Sequence, residues 1–181
     1  MSRTPVREAA LILESQGLVE LRPRKGVRVL PVSSDDMREI YDVLTELESL
    51  AAGQAAQQSY VAADLLQLET AINDMDHAIE TADLEAWADA DDRFHTELVR
   101  LGKNSRIETI VAMMSDQVRR ARALTLFMRP LPTQSNEDHR LVFEAIKNGD
   151  THAAHDIHKI HRQKAKTMLI TLLEKHRLTL I

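Results

Sequence analysis

The chain has 181 residues, a formal net charge of −5, 44% hydrophobic and 28% charged residues, a balance that suits a folded globular protein with one full core and a smaller appendage. It contains no cysteine, which excludes disulfides and thiolate metal sites. No apolar run is long enough for a bilayer span or a signal peptide, so a cytoplasmic protein with no membrane partner is expected.

Charge divides the chain unevenly. Residues 1–30 carry six bases (Arg3, Arg7, Arg22, Arg24, Lys25, Arg28) against three acids (Glu8, Glu14, Glu20), a balance of +3 that leaves −8 for the remainder. A basic head on an acidic body suits a polyanion-binding piece joined to one with another task.

In chain order, Ser2 or Thr4 can cap a short helix with Pro5 in its first turn; Val6, Ala10, Leu11 and Leu13 follow helical spacing, and Gly17 stops it. "LVELRP" and "VRVLPV" around "RKG" predict a hairpin turning at Gly26. Helix plus hairpin reads as the closing half of a winged helix-turn-helix, residues 1–32. Ser33 or Ser34 then caps a helix whose first turn carries Asp35 and Asp36, opening a second unit over residues 33–181. Apolar periodicity predicts helices near 34–58, 61–81, 83–101, 104–128, 134–148 and 150–176, broken at "QQSY", "ETAD", "LGKN", "RPLPTQ" and "KNGD". The fold class is therefore all-α: a six-helix antiparallel bundle behind a partial reading head.

The eight histidines all fall between residues 77 and 176. In "DDRFH", Asp91 and His95 are four apart and share one helix face. His139 in "EDHRLVFEAI" and His161 in the last helix would let three helices converge on one centre. One carboxylate with three imidazoles suits a divalent ion, Zn first and Ni, Mn, Fe or Co as alternatives, with positions left for water or a small anion. The ladder His152, His155, His158, His161 drifts around its helix, so most of it is expected in solvent. Trp87 reads as core.

"SRTPVREAALILESQGLVELRPRKGVRV" resembles the recognition helix and wing of the GntR family of bacterial transcription regulators, and the body resembles the FCD ligand-binding domain of its FadR subfamily. The matching motifs are "DDRFH", "EDHR", "AIKNGD" and "KIHRQ". The resemblance implies a metal site at Asp91, His95, His139 and His161, choosing His161 from its ladder. It also implies a regulator rather than an enzyme, a homodimer, operator DNA as partner, and a small effector, a carboxylate, in the bundle. Ser2, Arg3, Thr4 and Arg7 would meet phosphates and base edges, with Lys25 and Gly26 at the wing tip.

Two departures from the family pattern stand out. Many relatives carry an arginine in the first bundle helix that can grip a carboxylate; here the matching residue is Leu44, with Glu48 retained, so Arg119 and Arg122 in "QVRRARALTL" become the candidate replacements. Family members also carry two helices ahead of the recognition helix, commonly with Val before "SRTPVREA", where this chain has Met1. The expectation is an incomplete head, from a misplaced start or a shortened chain, in which Val6, Ala10 and Leu13 are partly bare and DNA binding is weak. Two rival readings are a metal-binding bundle without a DNA role and a metal-dependent hydrolase. The hydrolase would need a general base beside the ion, and no motif supplies one.

Overall fold

The computed structural model describes residues 3–176. Helix α1 (Arg3–Ser15) is followed by the antiparallel hairpin of β1 (Val19–Arg22) and β2 (Gly26–Val29). Then come α2 (Ser34–Ala56), α3 (Ala62–Glu80), α4 (Leu84–Leu101), α5 (Ser105–Thr125) running into a 3-10 turn (Leu126–Met128), α6 (Thr133–Lys147) and α7 (Thr151–Lys175). The six body helices match the predicted ones to within a few residues at each end.

Local chemistry sets these boundaries. α1 closes at Gly17, whose φ of 71° lets the Leu18 N–H reach the Leu13 carbonyl at 3.0 Å. The hairpin turns through Pro23–Lys25, with left-handed Arg24 ahead of Gly26 at φ 87°. Ser33 Oγ accepts from the Asp36 N–H at 3.3 Å, and Asp35 and Asp36 complement the dipole of α2 as the sequence predicts. Asp83, Asn104 and Asp150 cap α4, α5 and α7 in the same way.

α2 runs against α7, α3 against α4, and α6 against both α3 and α7. Two apolar clusters fill the space between them. One joins the end of α2 to α3, α4 and α6 around Leu68, Phe94, Leu98 and Val142. The other joins the start of α2 to α5 and the end of α7 around Tyr41, Leu44, Val118 and Leu169. Gly102 marks the tightest approach, since a Cβ there would stand 2.9 Å from the Ala51 carbonyl oxygen. Between the clusters lies a layer of buried polar side chains.

The head packs far less closely. Val6 and Ile12 are 56% and 59% exposed, and Leu11 and Leu13 also face solvent. Ala10 departs from expectation: it is buried, in a helix that packs against β1. Gln16 Nε2 donates to Asp116 Oδ2 of α5 at 3.3 Å, and Val32 enters the second core cluster.

Candidate metal centre and ligand pocket

The polar layer draws on α2, α4, α5, α6 and α7. α4 presents Asp91 and His95 one turn apart, α6 presents His139 and α7 presents His161, all buried. The His139 and His161 Nε2 atoms are 3.1 Å apart. Asp91 Oδ2 lies 3.6 Å from His95 Nε2, and Asp91 Oδ1 lies 3.7 Å from His139 Nε2. Ligand atoms around a tetrahedral ion at 2.0–2.1 Å are roughly 3.4 Å from one another, so this spacing fits a first-row divalent ion. The structure thus gathers His95, His139 and His161 into one cluster, with Asp91 set against His95 through one oxygen and His139 through the other.

The surroundings favour a cation at this point. Burial alone would raise the Asp91 carboxyl, but the Arg122 guanidinium beside it overcomes this and holds the group ionised far below the usual carboxylate range. Burial pushes His95 and His139 well below the ordinary imidazole value, which keeps them neutral with lone pairs available. Asp91 Oδ2, Glu48 Oε2 and His139 Nδ1 are buried without an aligned hydrogen-bond partner. The Arg122 guanidinium nevertheless stands 2.5 Å from Asp91, and the neutral His95 ring faces Glu48 through its Nδ1 at 3.0 Å. Such under-satisfied oxygens fit a site that a metal ion completes.

Two residues of this layer, Glu48 and His158, have no place in the site read from the sequence. Glu48 of α2 faces His95 Nδ1 and takes Arg162 on its other oxygen at 3.2 Å. A carboxylate there favours the tautomer that leaves His95 Nε2 free for an ion. His158, expected in solvent, is fully buried: its Nε2 lies 3.4 Å from His95 Nδ1 and its Nδ1 is 3.2 Å from Ser49 Oγ. Burial pushes it well below the ordinary imidazole value, with Glu48 opposing. His152 is exposed and His155 half-buried beside Asp156.

A pocket of about 170 Å³ opens onto Asp91, His95 and His161. Its apolar wall includes Leu84, Trp87, Leu126, Leu131 and Met168. Trp87 also belongs to the core, with its Nε1 donating to Asn136 Oδ1 at 2.8 Å. Leu44 is buried in the second core cluster and supplies nothing to the pocket. Of the two candidate replacements, Arg122 lines the pocket. Arg119 lies outside the lining, on the exposed face of α5, where it pairs with Asp92 at 2.8 Å and with Asp116. A phase difference of three residues on a helix separates the two.

In the head, Thr4, Arg7, Lys25 and Gly26 are exposed, while Ser2 and the Arg3 side chain lie outside the described residues. No described helix is long and apolar enough to cross a membrane.

Residues 39–164 match the family model of the FCD domain. The chain is 44% identical over 101 residues to an HTH-type transcriptional regulator in the TAR-I ttuE–ttuC′ intergenic region of Agrobacterium vitis, covering 55% of this chain and 59% of that one. It is 32% identical over 164 residues to an HTH-type transcriptional regulator in an unstable DNA locus of Streptomyces ambofaciens, covering 89% of this chain and 67% of that one. The matched chain thus spans only 59–67% of the length of these relatives. The fold is that of the Escherichia coli protein McbR/YncC, with a TM-score of 0.82 at 21% identity over 94% of this chain and 86% of that one. With regulators as relatives, the hydrolase reading falls away. The chain belongs to the FCD-domain family of GntR-type transcription regulators.

Proposed function

We propose that the body, residues 33–181, senses a small carboxylate effector beside a divalent metal ion, and that residues 1–32 contribute the recognition helix and wing of an operator-binding head. The observation that carries this reading is the convergence of three buried imidazoles from three helices, two of which, His95 and His161, line a pocket together with Asp91. Asp91, His95, His139 and His161 would hold the ion, Zn by preference. The ion would supply a Lewis-acidic centre for an oxygen of the effector. Arg122 adds positive charge at the same end of the pocket, although Asp91 and Asp92 already share much of it. Ser2, Arg3, Thr4 and Arg7 would meet DNA from the recognition helix, and Lys25 and Gly26 from the wing. A homodimer would align two heads with two operator half-sites, and the effector would act by favouring one spacing of the heads.

Metal content tests the centre. Protein loaded with Zn and desalted should retain about one ion per chain, measured by elemental analysis. His139→Ala should lower occupancy strongly, whereas His152→Ala, on the exposed face of α7, should leave it unchanged. Equal effects from both substitutions would dismiss the assignment.

A further inference from the structure

Four cationic side chains line the pocket: Arg122, Arg129, Arg162 and Lys164. Arg122 contacts Asp91 at 2.5 Å and Asp92 at 3.1 Å, Arg162 contacts Glu48 at 3.2 Å, and Lys164 contacts Asp138 at 3.0 Å. Arg129 is the exception. Its Nε and one terminal nitrogen both donate to the neutral hydroxyl of Thr125, at 3.2 and 2.6 Å. Among the described residues no carboxylate lies within ion-pair distance of it. Burial and the neighbouring Arg122 lower its pKa to about 10, a sign that its charge is poorly compensated.

A partly buried guanidinium without a counter-charge is costly unless an anion completes it. Arg129 sits just beyond the 3-10 turn at the end of α5, and the pocket lining also includes Leu126, Leu131, Trp87 and Met168. The pocket therefore offers two polar features, the Asp91–histidine floor and Arg129, together with an apolar lining. Its volume of about 170 Å³ is small for a ligand site, room for a ligand of about ten non-hydrogen atoms or fewer.

We infer that the pocket is built for a short dianion: one carboxylate directed to the histidine end, a few carbons against the apolar wall, and a second anionic group, carboxylate or phosphate, on the guanidinium of Arg129. This inference rests on the carboxylate reading above and adds the second grip. Arg129, just after α5, then takes on the clamp that Leu44 of α2 cannot supply. A bidentate Arg–carboxylate pair in a partly desolvated site is worth a factor of roughly ten to a hundred in affinity.

The test is calorimetric titration of the full chain, as purified, with straight-chain monocarboxylates, α,ω-dicarboxylates of matching length and the corresponding phosphonocarboxylates. The dianions should bind at least about tenfold more tightly than the monoacid of equal length. Arg129→Gln should abolish that preference while monoacid affinity stays the same, and Arg129→Lys, which keeps the charge, should retain most of it. Whichever dianion binds more tightly identifies the second group. Equal affinities for mono- and dianions, or a preference that survives Arg129→Gln, would overturn the second grip and leave the carboxylate reading standing. Absence of binding by every acid would overturn both.

Discussion

Head and body invert the usual rule of burial in opposite senses. In the head, Val6, Leu11, Ile12 and Leu13 turn apolar surface to water; in the body, Glu48, Asp91, Arg122 and Arg162 lie almost fully buried. Scattered apolar residues on a surface cost little and need no special account, but buried ions are expensive and persist only where they are paired or serve a ligand. On the proposed function, the body would work through interactions that also determine stability. The head would work through surface chemistry, where stability and binding can be changed separately.

The largest expected effect tests the buried side of that contrast. Glu48→Leu removes the carboxylate between His95, His158 and Arg162, and leaves the Arg162 guanidinium buried against the ring of Tyr41, 4.7 Å away, with no other ion-pair partner among the described residues. Breaking a buried pair by removing one member costs about 3–5 kcal/mol, so urea unfolding should show a loss of that order. Glu46→Leu, which breaks the half-exposed pair with Lys159, should cost about 1 kcal/mol or less. A loss below about 1 kcal/mol at Glu48 would mean that the polar layer is open to water.

A second test uses pH on metal-free protein. His95, His139 and His158 have folded pKa values lowered by burial, so below about 6.5 the unfolded chain takes up protons that the folded chain refuses. Stability should be flat above neutrality and fall as the solution is acidified, by about 1.4 kcal/mol per pH unit for each such histidine. Asp91, held low in the folded state, adds its own loss only as the pH drops through the carboxylate range, near 4 and below. The window between pH 5 and 6.5 thus isolates the imidazoles. Zn should raise stability across it, and by progressively less as protons compete. A profile without slope in that window would show that these rings are not held neutral.

Much of this arrangement was legible in the sequence. Caps and breakers located all six body helices, and the four-residue interval in "DDRFH" put Asp91 and His95 on one face before any tertiary contact was known. The rest depended on helix phase and on packing between distant segments. His158 and His161 are three residues apart and both turn inward, because α7 lies in the angle between α2 and α6 and has a wide buried face. Periodicity alone put most of the four-histidine ladder in solvent, and the family resemblance singled out His161. Arg119 and Arg122 present the same ambiguity with the opposite outcome, since Asp92 draws Arg119 to the outer surface while Asp91 holds Arg122 within. Glu48 was visible as a retained acid, but its partners are 47, 110 and 114 residues further along the chain, beyond the reach of any local pattern. Arg129 gave no local signal either. Its significance is the absence of a nearby carboxylate, a property of the assembled pocket.

The smallest effects are expected in the head. Val6→Ser and Ile12→Ser alter side chains that are more than half exposed, so unfolding free energy should move by no more than about 0.5 kcal/mol. Binding to DNA is the more informative measurement. Arg7, Lys25 and Gly26 are exposed and free to approach a polyanion. A recognition helix, however, reads bases only when its angle to the groove is fixed, and α1 packs mainly against β1. A polypeptide of these 181 residues should therefore bind through phosphate attraction, weakly and without sequence preference, with dissociation constants of about 10⁻⁴ to 10⁻⁶ M that weaken steeply with salt. Arg7→Ala should reduce the salt slope by about one contact and leave the stability of the body untouched. The assay is a salt series on promoter DNA and on a scrambled duplex of equal length. Tight binding that discriminates between the two would mean that the contacts of α1 with the hairpin suffice to hold it at a reading angle, and the head would then be as well ordered for its task as the body is for its own.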